Sequence, residues 1–211
     1  MHKHFDQNLN LKEIILKERP RHIVECGADE GKNTRLLAGL KNVYPFKLTV
    51  ISDNLLSPIE LGPDVEFIRG ISYEEIKKMD DLSVDMFIVD TDHNYWTLAQ
   101  ELNFIDLKLR KDGLIVLHDV STFYHDTGVA MRYSNGKEYP IDDIEELGKL
   151  KGGIGNTVID FLHCYPFRYR LVRFIEESHG AAVMRKVEVS RVNYLRAVEK
   201  NDEKEVLAVS I

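Results

Sequence analysis

The sequence predicts a single α/β domain built on a mostly parallel β-sheet with helices on both faces. Short apolar runs alternate with amphipathic stretches, which is the pattern of repeated strand–helix units. The runs are nearly continuous in Val, Ile and Leu, as expected for parallel strands buried on both faces. The length of 211 residues allows one sizeable core and leaves little for a second domain. We therefore expect residues 1–211 to form one unit.

Strands and helices alternate along the first 120 residues. Strands are predicted at 22–26, 47–52, 65–69, 84–90 and 114–119. Apolar side chains at helical spacing predict helices at about 8–18, around Leu36, Leu37 and Leu40, at 73–79, and from Leu98 through Leu102 and Ile105 to Leu109. The dipeptide Asp112-Gly113 supplies a stop signal for the last of these helices.

The regular alternation breaks after the fifth strand. Residues 121–155 lack periodicity and are predicted to form a long loop or lid. A helix is predicted at about 156–163, and the runs 168–174 and 181–186 form an antiparallel hairpin at the sheet edge. The charged tail, 188–211, has a helical composition and either lies over the domain or contributes a contact in a homodimer.

Composition narrows the possible partners and location. The formal net charge is −7 and no basic stripe is present, so nucleic acid is not an expected partner. No apolar run has the length of a membrane span, and the first residues lack the apolar core of a signal peptide, so we expect a cytoplasmic protein without a membrane partner. The two cysteines, Cys26 and Cys164, are too few for a disulfide framework or a zinc motif.

A glycine loop follows the first strand. The chain passes from Glu25 through Gly27 to Gly31 and then into a helix, so the backbone can approach a ligand and the helix offers free N–H groups. The spacing differs from both the dinucleotide fingerprint and the P-loop. Glu25, Asp29 and Glu30 would repel a pyrophosphate and favour a cationic ligand bearing an ammonium or sulfonium group. Simple tight-turn geometry is the alternative explanation.

The second and third strands also end in polar residues. Asp53 follows the second strand, where an acid in a nucleotide-binding unit commonly accepts hydrogen bonds from ribose hydroxyls. A helix N-cap at Ser52 or Asp53 is the structural alternative. Ser72 lies in a glycine-containing turn after the third strand and is predicted to cap the helix that begins near Tyr73.

Acids and histidines end the fourth and fifth strands. Asp90, Asp92 and His93 follow the fourth strand, and His118 and Asp119 close the fifth. Because the carboxyl ends of parallel strands form one edge of the sheet, these side chains are expected to converge there. Carboxylates and imidazoles can hold a cation and move a proton. The alternative is that the acids cap the next helix and that His118 is a core residue.

Taken together, E-x-G-x-x-x-G-x-x-T, the acid after the second strand, the G-x-S turn and D-x-D-H-x-Y resemble the class I methyltransferases that use S-adenosylmethionine. The later half is similar to the metal-dependent O-methyltransferases, including the caffeoyl-CoA type, and closer to the macrocin O-methyltransferase and cephalosporin-hydroxylase-like proteins. The resemblance covers roughly residues 20–187. It implies a Rossmann-like, seven-stranded, mostly parallel sheet with an antiparallel C-terminal hairpin.

The resemblance also implies cofactor-binding roles. Gly27 and Gly31 would pass under the methionine moiety, and Glu25 would help to hold its ammonium group, directly or through water. Asp53 would bind the ribose hydroxyls, although the insertion KNVYPFK makes the preceding gap longer than in the family. Ile71 and Ser72 would flank the adenine, and Asp90 is assigned to both the cofactor and the metal.

The same resemblance implies a divalent-metal site formed by Asp90, His118 and Asp119. Mg²⁺ or Mn²⁺ is the expected ion, and the imidazole of His118 shifts the preference from Mg²⁺ toward Mn²⁺, Fe²⁺ or Zn²⁺. His93 takes the place of the family's lysine base, and its ordinary pKa of about 6.5 suits proton abstraction at neutral pH. Asp92 is either a further ligand or a residue that orients His93.

The predicted function is transfer of a methyl group from S-adenosylmethionine to a hydroxyl of a small-molecule acceptor. One alternative is a metal-dependent hydrolase or oxygenase-associated enzyme that uses the same sheet edge without the cofactor. The acidic glycine loop has no purpose in that scheme. Another is a relative that binds the cofactor without turnover.

Overall fold

The computed structural model describes residues 10–53, 64–92, 95–120, 131–132, 138–139, 154–175 and 180–187. The strands of the main sheet are β1 (His22–Cys26), β2 (Lys47–Ser52), β3 (Val65–Arg69), β4 (Val84–Val89), β5 (Leu109–His118), β6 (Tyr169–Ile175) and β7 (Ala181–Lys186). The helices are α1 (Leu11–Glu18), α2 (Lys32–Leu40), α3 (Ser72–Lys78), α4 (Tyr95–Lys108) and α5 (Ile154–Cys164).

The seven strands lie in the order β3-β2-β1-β4-β5-β7-β6. Strands β1 to β5 pair in parallel, and β7 runs antiparallel to both β5 and β6. The predicted fold class is therefore confirmed, including the antiparallel hairpin. Within the hairpin the second strand, and not the first, pairs with β5. The apolar side chains of β7 are buried on both faces, whereas β6 is largely exposed along the sheet edge.

Alternate side chains of the strands feed two cores, one on each face of the sheet. On one face, α1 and α2 contribute Leu11, Ile15 and Leu37 to a cluster with the strand residues Ile23, Val50, Ile88 and Val116. On the other, α3, α4 and α5 contribute Ile76, Leu102 and Val158 to a cluster with Val24, Ile51, Phe87 and Ile115. This alternation fits strands covered by helices on both sides.

The junction between α4 and β5 differs from the prediction. The helix ends at Lys108, and Leu109 begins the strand instead of ending the helix. Leu109 pairs with Val84, but the next pair joins Leu114 to Met86, so the intervening residues of β5 bulge out of the register. Asp112, with a φ of 62°, turns the backbone within this bulge and does not act as a helix stop.

Several other predicted helix boundaries differ by a few residues from those in the structure. The first helix was expected at 8–18 and is described from Leu11, and α5 is longer than the expected 156–163. The N-cap of α3 is Ile71, and Ser72 is already the first helical residue without a capping hydrogen bond.

Some predictions fall partly or wholly outside the described residues. Within the predicted lid, 121–155, two short strands, Met131–Arg132 and Glu138–Tyr139, pair antiparallel, and most of the segment is not described. The tail, 188–211, and His93 lie outside the described residues. In the described part of the chain, every helix is too short or too polar to cross a membrane.

Candidate active site

The glycine loop lies between the ends of two neighbouring strands. The Gly27 N–H donates to the Ile51 carbonyl of β2 at 2.9 Å, and the Asp90 N–H after β4 donates to the Cys26 carbonyl at 2.9 Å. Gly27 has a φ of 86°, and a Cβ at this position would lie 1.9 Å from the Asp90 carbonyl oxygen. Only glycine fits this approach, because any side chain would collide with the backbone that follows β4.

Gly31 leads the loop into α2. Its φ is 71°, and its N–H donates to the Ala28 carbonyl at 2.6 Å, so the chain turns sharply just before the helix. No side chain caps the first turn of α2. A cleft above this turn is lined by Gly27, Ala28, Asp29, Glu30, Lys32, Asn33 and Asp90. The structure thus places Gly27 and Asp90 in the lining of one cleft, and Gly31 lies in the chain between the lining residues Glu30 and Lys32.

Glu25 is a buried carboxyl group beside this loop. It is 1% exposed, and neither of its oxygens makes a hydrogen bond of good geometry with the described residues. Burial raises the pKa of Glu25 to about 8, and the charge of Asp90 acts in the same direction, whereas the nearby Thr34 favours the charged form. Because buried polar groups normally have partners, a carboxyl group in this state is suited to a cationic ligand.

Asp90, His118 and Asp119 lie together at the carboxyl ends of β4 and β5. The His118 Nδ1 is 3.2 Å from Asp90 Oδ1 and 3.0 Å from Asp119 Oδ1. Asp119 is 5% exposed, has a φ of 56° and donates its N–H to the Gly180 carbonyl at 2.9 Å. The hairpin therefore holds the end of β5 in a conformation that turns the Asp119 side chain toward Asp90.

The environment of His118 is governed by its two acidic neighbours. Burial lowers the pKa of His118, but the hydrogen bonds and charges of Asp119 and Asp90 outweigh it and raise the pKa to about 10. The group holds a positive charge strongly, whether a proton or a metal ion carries that charge. One ligand atom from each of the three residues lies within 4.8 Å of the others. An oxygen–nitrogen–oxygen set of this size fits a divalent cation of intermediate hardness.

A second cavity adjoins this cluster on the side of α4 and α5. Its walls are mainly apolar and its rim is polar, the lining residues being Val89, Thr91, Asp92, Leu98, Leu117, His118 and Ile154. Asp92 is half-buried at this rim. The lining combines apolar side chains with a few polar groups, as small-molecule sites do, but the cavity is smaller than such sites usually are.

The remaining predicted cofactor residues lie on neighbouring strand ends. Asp53 is exposed directly after β2, and the preceding Ser52 accepts hydrogen bonds from the Ala28 and Gly70 N–H groups, at its hydroxyl and carbonyl oxygens. Ser72 begins α3 and is buried, and its hydroxyl donates to the Glu101 carboxyl group. The Ser72 side chain is thus directed into the protein toward α4.

Glu101 is a further residue near the site, and the sequence motifs do not predict it. This residue of α4 is fully buried and accepts hydrogen bonds from Ser72 and, at 2.8 Å, from the Thr91 hydroxyl. A signal was present, because Glu101 lies on the apolar stripe formed by Leu98, Leu102 and Ile105 at helical spacing. An acid inside such a stripe indicates a buried polar contact.

Comparison with known proteins agrees with this geometry. Residues 24–120, from β1 to the end of the acid–histidine cluster, match the family model described as a methyltransferase domain. A search of curated protein sequences gave no significant match.

Solved structures share the fold at low sequence identity. An O-methyltransferase from Bacillus cereus in complex with S-adenosylhomocysteine has 14% identity and a TM-score of 0.56, with 88% of this chain and 82% of that chain covered. The S-adenosylhomocysteine-bound methyltransferase PaMTH1 from Podospora anserina has 15% identity and a TM-score of 0.56, with coverages of 83% and 76%. A candidate caffeoyl-CoA O-methyltransferase from Staphylococcus aureus has 19% identity and a TM-score of 0.55, with coverages of 84% and 81%.

These matches do not favour the alternative of a hydrolase or an oxygenase-associated enzyme. The family match covers the segments that carry Glu25, Gly27 and the three clustered residues, and the neighbours share the fold. The predicted resemblance to the class I S-adenosylmethionine-dependent methyltransferases is thus confirmed, both in residues 24–120 and in the fold of the chain.

Proposed function

We propose that the protein transfers a methyl group from S-adenosylmethionine to a hydroxyl of a small molecule, with a divalent metal at Asp90, His118 and Asp119. One observation carries the proposal. Asp90 belongs to both halves of the site, because its carbonyl abuts Gly27 in the glycine-loop cleft and its carboxylate contacts His118. A donor in the cleft and an acceptor at the cluster would therefore meet at the same residue.

On the donor side, S-adenosylmethionine supplies an activated methyl group on a sulfonium. Gly27 and Gly31 leave room for its methionine moiety, and Glu25 offers a carboxylate to the ammonium group. Asp53, exposed directly after β2, would accept hydrogen bonds from the ribose hydroxyls. The acidic lining of the cleft, with Asp29 and Glu30, matches a cationic ligand better than a pyrophosphate.

On the acceptor side, a divalent ion lowers the pKa of a coordinated hydroxyl and fixes its position. Asp90, His118 and Asp119 would hold that ion, with the His118 Nδ1 as the nitrogen donor. His93 is proposed as the base that removes the hydroxyl proton. The apolar floor of the second cavity would exclude water and orient the acceptor for in-line attack.

The names of the structural neighbours support the choice of oxygen as the acceptor atom. The Bacillus cereus neighbour is named as an O-methyltransferase, and the Staphylococcus aureus neighbour is associated with caffeoyl-CoA. A cytoplasmic location and a homodimer contact through 188–211 belong to the same proposal and rest on the sequence alone.

Calorimetric titration with S-adenosylhomocysteine and with Mn²⁺ tests the proposal. Wild type is expected to bind both. Asp119→Asn should weaken Mn²⁺ binding by at least about tenfold, and should leave the binding of S-adenosylhomocysteine without metal unchanged. Asp112→Asn is the matched control, since Asp112 is an exposed aspartate of β5 whose backbone is also left-handed. Its binding should equal that of wild type.

Failure of wild type to bind S-adenosylhomocysteine, with or without Mn²⁺, would overturn the methyltransferase proposal. Equal Mn²⁺ affinities for wild type and Asp119→Asn would overturn the metal site alone. A screen of catechol, phenol and sugar hydroxyls for methyl transfer, with His93→Ala as the comparison, then tests the proposed base.

A further inference from the structure

Glu101 occupies a central position beneath the carboxyl edge of the sheet. It projects from α4 and is fully buried, and a single oxygen, Oε1, accepts hydrogen bonds from both Ser72 and Thr91. Its charge also acts on Cys26, the last residue of β1, whose pKa is raised first by burial and then by Glu101. The carboxyl group thus lies close to the ends of β1, β3 and β4 together.

The two donors belong to different halves of the site. Thr91 lies between Asp90 and Asp92, and its Cα is 3.2 Å from where a Cβ on Gly27 would stand. Ser72 begins α3, directly after the turn that follows β3. In the sheet, β1 and β2 lie between β3 and β4. Thr91 is therefore part of the segment that carries a proposed metal ligand, and Ser72 is part of the turn assigned to the adenine.

We propose that Glu101 is a positioning residue that couples cofactor binding to metal binding, an inference that rests on the proposed function. Because both hydroxyls donate to one oxygen, the separation between the Ser72 turn and the Asp90–Asp92 segment is set by a single buried group. A ligand that orders either segment therefore pre-orders the other, which makes the second ligand bind more tightly. Hydrogen bonds in this water-excluded position are strong enough to transmit the constraint.

Four variants separate the Thr91–Glu101 hydrogen bond from the Ser72–Glu101 hydrogen bond. Thr91→Val removes the hydroxyl on the metal side, and Ser72→Ala removes the hydroxyl on the cofactor side. Glu101→Leu removes both hydrogen bonds at nearly constant volume. Glu101→Gln keeps an oxygen at Oε1 that can accept from both hydroxyls and is the conservative rescue.

The experiment measures the dissociation constant of S-adenosylhomocysteine with and without saturating Mn²⁺, and that of Mn²⁺ with and without S-adenosylhomocysteine. In wild type each ligand should tighten the other by the same factor, on the order of tenfold. In Glu101→Leu this factor should fall close to one. The affinity for Mn²⁺ alone should also weaken by about tenfold, as expected when a residue that supports a metal ligand is removed. Glu101→Gln should retain the wild-type factor.

The single-arm variants sharpen the result. Thr91→Val should weaken mainly Mn²⁺, Ser72→Ala should weaken mainly S-adenosylhomocysteine, and both should lose the coupling. The matched control is Asp106→Asn, because Asp106 is a buried acid of the same helix that contacts β6 and β7 instead of the site. This control should lower the melting temperature while the coupling factor stays at the wild-type value.

Three outcomes would overturn the inference and are distinguishable from failure of the proposed function. If wild type binds both ligands and Glu101→Leu keeps the same coupling factor, Glu101 is only structural. The same conclusion follows if Asp106→Asn loses the coupling as fully as Glu101→Leu. If Glu101→Leu does not fold, Thr91→Val and Ser72→Ala decide the question, and unchanged coupling in both would overturn it. If wild type binds neither ligand, the function itself is wrong and the inference is overturned with it.

Discussion

Buried ionisable groups are partnered in opposite ways at the amino ends and at the carboxyl ends of the strands, called here the amino edge and the carboxyl edge. At the amino edge of β5, Asp106 accepts a hydrogen bond from the Tyr169 hydroxyl and pairs with Arg168, both at 2.9 Å, while the Lys186 ammonium group donates to the Asp106 carbonyl. At the carboxyl edge, Glu25 is buried and makes no hydrogen bond of good geometry with the described residues. The first arrangement closes the fold, and the second leaves a buried carboxyl group that is suited to a cationic ligand.

The carboxyl edge also gathers several acids around one imidazole. Asp90 and Asp119 both contact His118, and the charge of Asp90 raises the pKa of Glu25 further. Ionisable groups with shifted pKa values cluster at functional sites, so this end of the strands is the candidate binding site. The amino edge therefore pairs its buried acid within the fold, whereas the carboxyl edge holds the candidate site.

The largest expected effect tests the close backbone approach between Gly27 and Asp90 at the carboxyl edge. Gly27→Ala should destabilise the fold by about 4 kcal/mol or more, because the new Cβ would collide with the Asp90 carbonyl at a left-handed φ. Chemical denaturation followed by circular dichroism measures this loss. Gly39→Ala is the control, since Gly39 lies in α2 with open space around it and should gain about 0.5–1 kcal/mol. A Gly27→Ala protein as stable as wild type would contradict the close approach.

The next effect tests the amino edge. Asp106→Ala should cost about 3 kcal/mol, because it leaves Arg168, Tyr169 and Lys186 without their shared acidic partner. The same denaturation assay applies. Lys78→Ala, which removes an exposed ion pair with Glu75, should change stability by less than about 0.5 kcal/mol. If both variants behave alike, the charge cluster at the amino edge contributes no more than a surface pair.

The smallest effect has the opposite sign and links stability to pH. The pKa of Glu25 is raised from 4.5 to about 8 in the folded protein, so folding takes up a proton between these values. Stability is therefore lost as pH rises from about 4.5 through about 8. Glu25→Gln should be more stable than wild type by about 2–3 kcal/mol at pH 8, and the difference should vanish near pH 4.

Denaturation of wild type and Glu25→Gln across this pH range provides the measurement. The same shift predicts that binding of S-adenosylhomocysteine at pH 7 releases a proton, because an ammonium group beside Glu25 favours the carboxylate. Titration in buffers of different ionisation enthalpy detects that release, and Glu25→Gln should lose it. A pH-independent stability difference between the two proteins would contradict the raised pKa of Glu25.

The order of strands and helices and the meeting of distant side chains follow from the sequence itself. Short Val, Ile and Leu runs bounded by turn residues are typical of buried strands, and glycines after the first run favour a tight loop. Because parallel strands share one carboxyl edge, Asp90 was expected near His118 and Asp119, and the structure places all three ligand atoms within 4.8 Å of one another. These conclusions need only local patterns and one topological rule.

Tertiary structure alone decided the features that depend on long-range pairing. Whether β6 or β7 pairs with β5, and how β5 bulges before Leu114, depends on registers that the local sequence does not encode. The buried contacts of Glu101 and Asp106 depend on residues outside α4, since Ser72 and Thr91 complete the first and Tyr169 of β6 completes the second. A local pattern determines which face of a helix or strand is apolar. Only tertiary packing determines which partner a polar side chain on that face contacts.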